Sequence, residues 1–294
     1  REFMALLAVA ASFLALGWHA PTLVRPAVAV RRAGGCVAQA ESNAQDLLIA
    51  KLRTAAPDQL PSLIADSMKS IDQRLFLRMA EMADEAGEGE ERESIARLAS
   101  DVANTVQRLI QLADEKLEDD GSKAQAILKV AASDSGEFEV PLPADRADAV
   151  RAAVRERGVA LDDGFVATIK AYMAKADSDG MGGLVEFLRE VLQLFAAEKL
   201  IALVEPRLEK GSGLREGLFA VLGAPPRDWD AVLRTTIGGE DPVCGPEELQ
   251  CTLQDQMGEI VLSMPSGSAL QALLAEYLNE LLERTRACIT EMAQ

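Results

Sequence analysis

Apolar residues recur three and four positions apart through most of this chain, the spacing that lines them along one face of an α-helix. The clearest stripe is Ile95, Leu98, Val102, Val106, Leu109 and Leu112. It predicts a helix over residues 90–117, with Glu90, Glu91 and Glu93 in the first turn, where they favour the helix dipole, and Asp119-Asp120-Gly121 to end it. Before it, Leu60, Leu63, Ile64, Met68, Ile71, Leu75 and Met79 predict one helix through residues 58–85. Pro61 suits its first turn, where a missing N–H is harmless. The Gly87-Glu88-Gly89 break makes these two helices the arms of a long N-terminal hairpin. Shorter helices are expected over residues 45–56, stopped by Pro57, and over 122–133.

Residues 134–143 are different. Phe138, Val140 and Leu142 alternate with Glu137, Glu139 and Pro141, which predicts a lone strand or an extended clip across the helices. Helical periodicity returns over 143–157, closed by Gly158, and over 162–175, where Asp162 is the expected N-cap. The segment 181–208 is apolar around most of its circumference (Leu184, Phe187, Leu188, Val191, Leu192, Leu194 and Phe195), the mark of a centrally buried helix. Short helices over 214–222 and 228–237 flank Pro225-Pro226, with Asp228 as a cap and Trp229 over the end of the bundle. Helices over 246–262 and 266–292 complete the set. No fixed-period repeat supports a solenoid. The pattern gives an all-α chain, an irregular multi-helix bundle. Its regions are 1–40, a hairpin region 41–133, an extended linker 134–143 and a bundle region 144–294.

Composition sharpens this picture. Hydrophobic residues make up 49% of the chain, enough for a core, but aromatics only 4%. Leu, Ala, Val, Ile and Met must fill that core, a mixture that suits helix-on-helix packing better than strands. The net charge is −17. Of the acidic residues only Glu2 precedes residue 41, whereas Arg1, Arg25, Arg31 and Arg32 all do, so the remainder is more acidic still. Such a body repels nucleic-acid phosphates and anionic membrane surfaces, and favours basic partners. Tyr172, Tyr277, Trp18 and Trp229 are too few for a base-stacking platform.

Candidate chemistry is sparse. Lys175–Glu186 (KADSDGMGGLVE) imitates a calcium loop, with Asp177, Asp179, Gly180 and Glu186 at the third, fifth, sixth and twelfth places. Lys175 stands where the first carboxylate belongs, so a helix–helix turn is the simpler expectation. Gly211, Gly213 and Gly217 imitate a dinucleotide fingerprint, but no strand precedes them. Glu186 and Glu190 are one of many i, i+4 carboxylate pairs expected on solvated helix faces. Cys36, Cys244, Cys251 and Cys288 form no CxxC pair. A helix starting near Pro246 would hold Cys244 and Cys251 roughly 8–10 Å apart, beyond disulfide reach. Both are expected reduced, with Cys251 partly buried; a strained redox pair is the alternative. His19 is the single histidine, so residues 41–294 lack the base of a Ser-His-Asp or Cys-His mechanism. No catalytic, cofactor-binding or metal-ligating residue is assigned.

Residues 3–40 contain no Asp or Glu. Met4–Leu16 is apolar but shorter than the about 20 residues that span a membrane, and fits the h-region of a signal peptide. The acid-free, Arg-bearing stretch after it has transit-peptide composition. The pair resembles the bipartite presequences of algae with secondary plastids, with Phe13 opening the transit part. A simple secretory signal and an ordinary buried helix are the alternatives.

Several stretches resemble chloroplast proteins of plants and algae labelled endoribonuclease E-like. They are EERESIARLAS from Glu90, VPLPADRADAV from Val140, VLQLFA from Val191, APPRDWDAVL from Ala224 and LAEYLNELLER from Leu274. The resemblance implies a plastid protein. Together with the acidic body and the long amphipathic helices, it leads to the expectation of a non-enzymatic interaction or assembly protein of the plastid, stromal or on the thylakoid surface. Its partners would be proteins, and its mature chain would lack a transmembrane segment. The alternative is an RNA-processing enzyme of that label, or its accessory factor.

Overall fold

A computed structural model describes residues 34–238 and 242–292, and side chains from residue 44. The expected signal-like and transit-like segments, and His19, lie outside them. Among the described residues there are eleven α-helices and no strand: α1 (Gly34–Thr54), α2 (Leu60–Asp66), α3 (Gln73–Glu85), α4 (Glu90–Ala131), α5 (Ala144–Arg157), α6 (Asp163–Ser178), α7 (Gly182–Val204), α8 (Gly213–Gly223), α9 (Trp229–Ile237), α10 (Pro246–Ser263) and α11 (Ala269–Met292). None of them is long and apolar enough to cross a membrane. The all-α class read from the periodicity is therefore the fold class observed.

The chain divides into two compact units, one up to Gln107 and one from Arg108 onward. The division falls inside α4, and residues 134–143 lie within the second unit. In the first unit α1 packs on α3. Ile49, Leu52, Ile64, Leu75, Met79 and Ile95 are buried there. Arg78 clamps Asp46 with two hydrogen bonds, Nε to Oδ1 at 2.7 Å and Nη2 to Oδ2 at 3.3 Å.

Two boundaries in this region differ from the periodicity. The single helix expected over 58–85 is α2, a 3₁₀ turn over Met68–Ser70, and α3. Asp72 makes the restart. Its carboxylate accepts from the backbone N–H of Arg74 at 2.9 Å and of Leu75 at 3.1 Å, and so caps a new helix. Conversely, Asp119-Asp120-Gly121 does not end a helix, because α4 runs through it. Asp120 is buried, with Lys116 Nζ at 2.9 Å and Lys123 Nζ at 3.5 Å. A carboxylate committed to those lysines is not free to fold back on its own backbone, the competition that makes Asp a helix breaker.

In the second unit α7 and α11 are central. α7 packs against α5, α6, α8 and α11, and α11 also against α6, α9 and α10. The wide apolar face of α7 is buried as expected, from Phe187 to Val204. Phe165 of α6 meets Phe195 with ring centroids 4.9 Å apart. Residues 134–143 form a clip, not a strand. Phe138 lies on Phe187 with centroids 4.2 Å apart, Leu142 is buried, and Val140 points out. The Leu142 N–H donates to Glu190 Oε2 at 2.6 Å, which pins the clip to α7.

Candidate functional site

The loops with motif-like sequences turn out to serve the fold. Lys175–Glu186 is the turn between α6 and α7. Met181 N–H donates to Ala176 O and Gly180 N–H to Asp177 O, the paired bonds of a Schellman ending. Gly180 has φ +72°, which glycine adopts without cost. Lys175 Nζ lies 3.0 Å from Asp179 Oδ1, and Arg189 holds Glu186 at 2.6 Å. Asp179 and Glu186 are thus held in two separate ion pairs. No group of three His, Cys, Asp or Glu poised for a metal occurs among the described residues.

The glycines of the fingerprint-like segment are close-packing positions. Ser212 caps α8, its Oγ accepting from Arg215 N–H at 3.3 Å. A Cβ on Gly213 would stand 2.0 Å from the carbonyl oxygen of Val243, and one on Gly217 2.8 Å from Cys244 Sγ. Cys244, Cys251 and Cys288 are free thiols. Their burial reverses the expectation: Cys244 is buried against Gly217, whereas Cys251 is exposed. Burial pushes the Cys244 and Cys288 thiols above their ordinary pKa.

A cleft in the second unit has a volume of about 610 Å³, within the range of small-molecule sites. Three helices contribute one face each at helical spacing. α5 supplies Ala144, Ala147, Asp148 and Arg151. α7 supplies Glu186, Arg189, Glu190, Gln193, Leu194 and Ala197. α11 supplies Tyr277, Glu280 and Arg284. The loop of residues 223–228 and Leu142 of the clip close the rim. Residues of the segments 140–150, 191–196, 224–233 and 274–284 meet here.

The rim is held from beneath. Arg151 donates to the Gly223 carbonyl at 2.6 Å and to buried Glu198 at 3.3 Å. Trp229 Nε1 donates to the Ala224 carbonyl at 3.2 Å. Ala224 and Pro225 are extended, with ψ 147° and 150°, before a 3₁₀ turn over Pro226–Asp228 leads into α9. Trp229 is fully buried, further than its expected place over the bundle end. It packs edge-on to Tyr277 at 5.0 Å, and Arg284 covers it at 5.5 Å. Asp228 makes no side-chain cap to α9, contrary to expectation; its own backbone is helical, whereas a capping residue is extended.

The charges are mostly paired. Arg189 pairs with Glu186. Arg284 pairs with Glu280 at 2.8 Å and Asp230 at 3.4 Å, and Arg227 approaches Glu190 at 3.9 Å. Asp148 and Asp228 have no ion-pair or hydrogen-bond partner among the described residues. Tyr277 is buried, which raises its phenol pKa, and its hydroxyl has no hydrogen-bond partner. Comparison with protein-family models, curated proteins and solved structures gives no match.

Sequence reasoning passed over this site. Glu186 and Glu190 read as a chance pair on a solvated face, and each contributing helix face looks like ordinary amphipathic surface on its own. The only usable signal was the i, i+3, i+4, i+7 spacing of Ala144, Ala147, Asp148 and Arg151 on α5 and of Glu186, Arg189, Glu190 and Gln193 on α7.

Proposed function

We propose that this chain is a non-enzymatic helical interaction or assembly protein of the plastid, in the stroma or on the thylakoid surface, and that its cleft docks a protein partner. The observation that carries this reading is the make-up of the cleft. Its walls are rigid helices and a pinned Pro-Pro loop, its surface alternates small apolar and charged groups, and its arginines already face carboxylates. Paired guanidiniums offer little to a phosphate backbone, whose binding rests on releasing counterions to unpaired cations. The lining contains no His, Cys, Ser or Lys; its ionisable groups are carboxylates, arginines and Tyr277. The plastid part of the proposal rests on the acid-free composition of residues 3–40 and on the resemblance of the body.

A photo-crosslinking residue at Ala144, on the exposed lip of the cleft, tests the docking site in intact plastids. One stoichiometric protein adduct is expected from position 144 and none from a control at Val159, which is 99% exposed elsewhere. Absence of an adduct at 144 overturns the docking reading. Mg²⁺-dependent cleavage of a plastid transcript by the purified chain would put an RNA-processing enzyme in its place. A fluorescent protein fused after residue 40 is expected inside plastids, and its exclusion from them overturns the localisation.

A further inference from the structure

Two features of the cleft are left unsatisfied by the chain itself. Asp148 on α5 and Asp228 on the rim loop are exposed carboxylates without a cation. Tyr277 of α11 lines the same cleft, and its hydroxyl is withdrawn from solvent and has no hydrogen-bond partner. A buried hydroxyl without a partner loses the hydrogen bonds it had to water. Such groups are rare in folded proteins and call for an occupant. The packed neighbours of Tyr277 do not supply one. Trp229 turns its ring, not its N–H, to the phenol, and the Arg151 guanidinium is spent on Gly223 and Glu198.

We infer that the cleft binds a Lys- or Arg-bearing peptide segment of the partner, with Asp148 and Asp228 receiving its cations and the Tyr277 hydroxyl donating to one of its backbone carbonyls. The inference rests on the docking reading above and deepens it. The charge balance selects the sign of the ligand. Each lining arginine already faces a carboxylate, whereas two lining carboxylates face no cation, in a chain of net charge −17. The shape selects the kind of cation. Ala147, Leu194, Ala197 and Pro225 give an apolar surface for the aliphatic stem of Lys or Arg, whose charged head then reaches the rim. A peptide backbone also brings the carbonyl acceptor that Tyr277 lacks, which a bare polyamine or metal ion does not.

The full chain is titrated by calorimetry with three probes: an acetylated, amidated Arg-Ala-Arg-Ala-Arg-Ala peptide, its Glu-for-Arg counterpart, and inorganic phosphate. Only the basic peptide is expected to bind. Asp148→Asn/Asp228→Asn is expected to weaken it at least tenfold, whereas Glu247→Gln/Asp255→Asn, which neutralises two exposed acids outside the cleft, changes it less than twofold. Tyr277→Phe should weaken the peptide about fivefold while leaving the Tm of the free chain equal or higher, since it removes an unpartnered hydroxyl. A merely structural tyrosine would leave the affinity unmoved. Equal losses in the two double variants would mean diffuse attraction to an acidic surface and overturn the inference, as would preferred binding of the Glu peptide or phosphate. A crosslinked partner whose site of attachment lacks Lys and Arg would overturn it too, yet leave the docking reading standing. Absence of any adduct at position 144 strikes the docking reading itself.

Discussion

Gly213 and Gly258 show how the same residue type has opposite worth in two places. A Cβ on Gly213 would meet the backbone carbonyl of Val243, which cannot rotate away as a side chain could. Gly213→Ala should therefore destabilise the second unit by about 2–3 kcal/mol in urea unfolding, in the range of overpacking. Gly258 lies on the exposed side of α10 with nothing near the added atom. There Gly258→Ala should stabilise by about 0.5–1 kcal/mol, because alanine has less chain freedom to lose. The cysteines differ in the same local way. Cys251 is open to reagent, while Cys244 and Cys288 are buried with thiol pKa values pushed up by that burial. Since the thiolate is the reacting form, brief iodoacetamide treatment at pH 8 should alkylate Cys251 before Cys244 and Cys288. Peptide mass mapping that finds Cys244 or Cys288 modified as fast would contradict the packing.

At the scale of elements, α4 and α6 meet through a network of opposite charges. Lys116 bridges buried Asp120 and the α6 cap Asp162, each at 2.9 Å. Gly164 lets Asp120 in, since a Cβ there would overlap its carboxylate. Asp120→Ala should cost about 2 kcal/mol, the scale of hydrogen bonds to charged groups, and speed amide hydrogen exchange in α4 near Gly121 rather than across the chain. Burial alone would raise the pKa of Asp162, but the hydrogen bond and charge of Lys116 outweigh it and hold the carboxyl below its ordinary 3.8. A depressed carboxyl contributes stability that is complete above the unfolded value and lost as the pH falls through the folded one. The Tm difference between the natural chain and Asp162→Asn should thus be steady at neutral pH and shrink below about pH 4. A difference that grows on acidification would refute the assignment. The network also explains why Asp119-Asp120-Gly121 does not stop the helix. Sequence shows that Asp and Gly favour a break; it does not show that lysines on the same helix and a glycine in another have removed the reason to break.

At the scale of the whole molecule, each unit has its own buried core, and the chain passes between them within one helix. Calorimetry should resolve two transitions, and Gly213→Ala should move only one of them. A single transition displaced as a whole would show that the units unfold together. Much of this architecture was legible in the chain. The 3.6-residue periodicity of apolar side chains, the glycines and prolines between stripes, and the shortage of aromatic residues are local properties, and they determined an all-α protein, the central burial of α7, the Asp162 cap and the turn at Gly180. What only the tertiary structure decided was which surfaces face one another. Periodicity says that a helix has an apolar face but not what lies opposite, so it could not bring Ala144–Arg151, Glu186–Ala197 and Tyr277–Arg284 around one cleft. It could not leave the Tyr277 hydroxyl without a partner there, or turn a glycine-rich segment into a seat for Val243 and Cys244. Those outcomes depend on contacts between residues far apart in sequence, and such contacts leave no periodic trace in either partner.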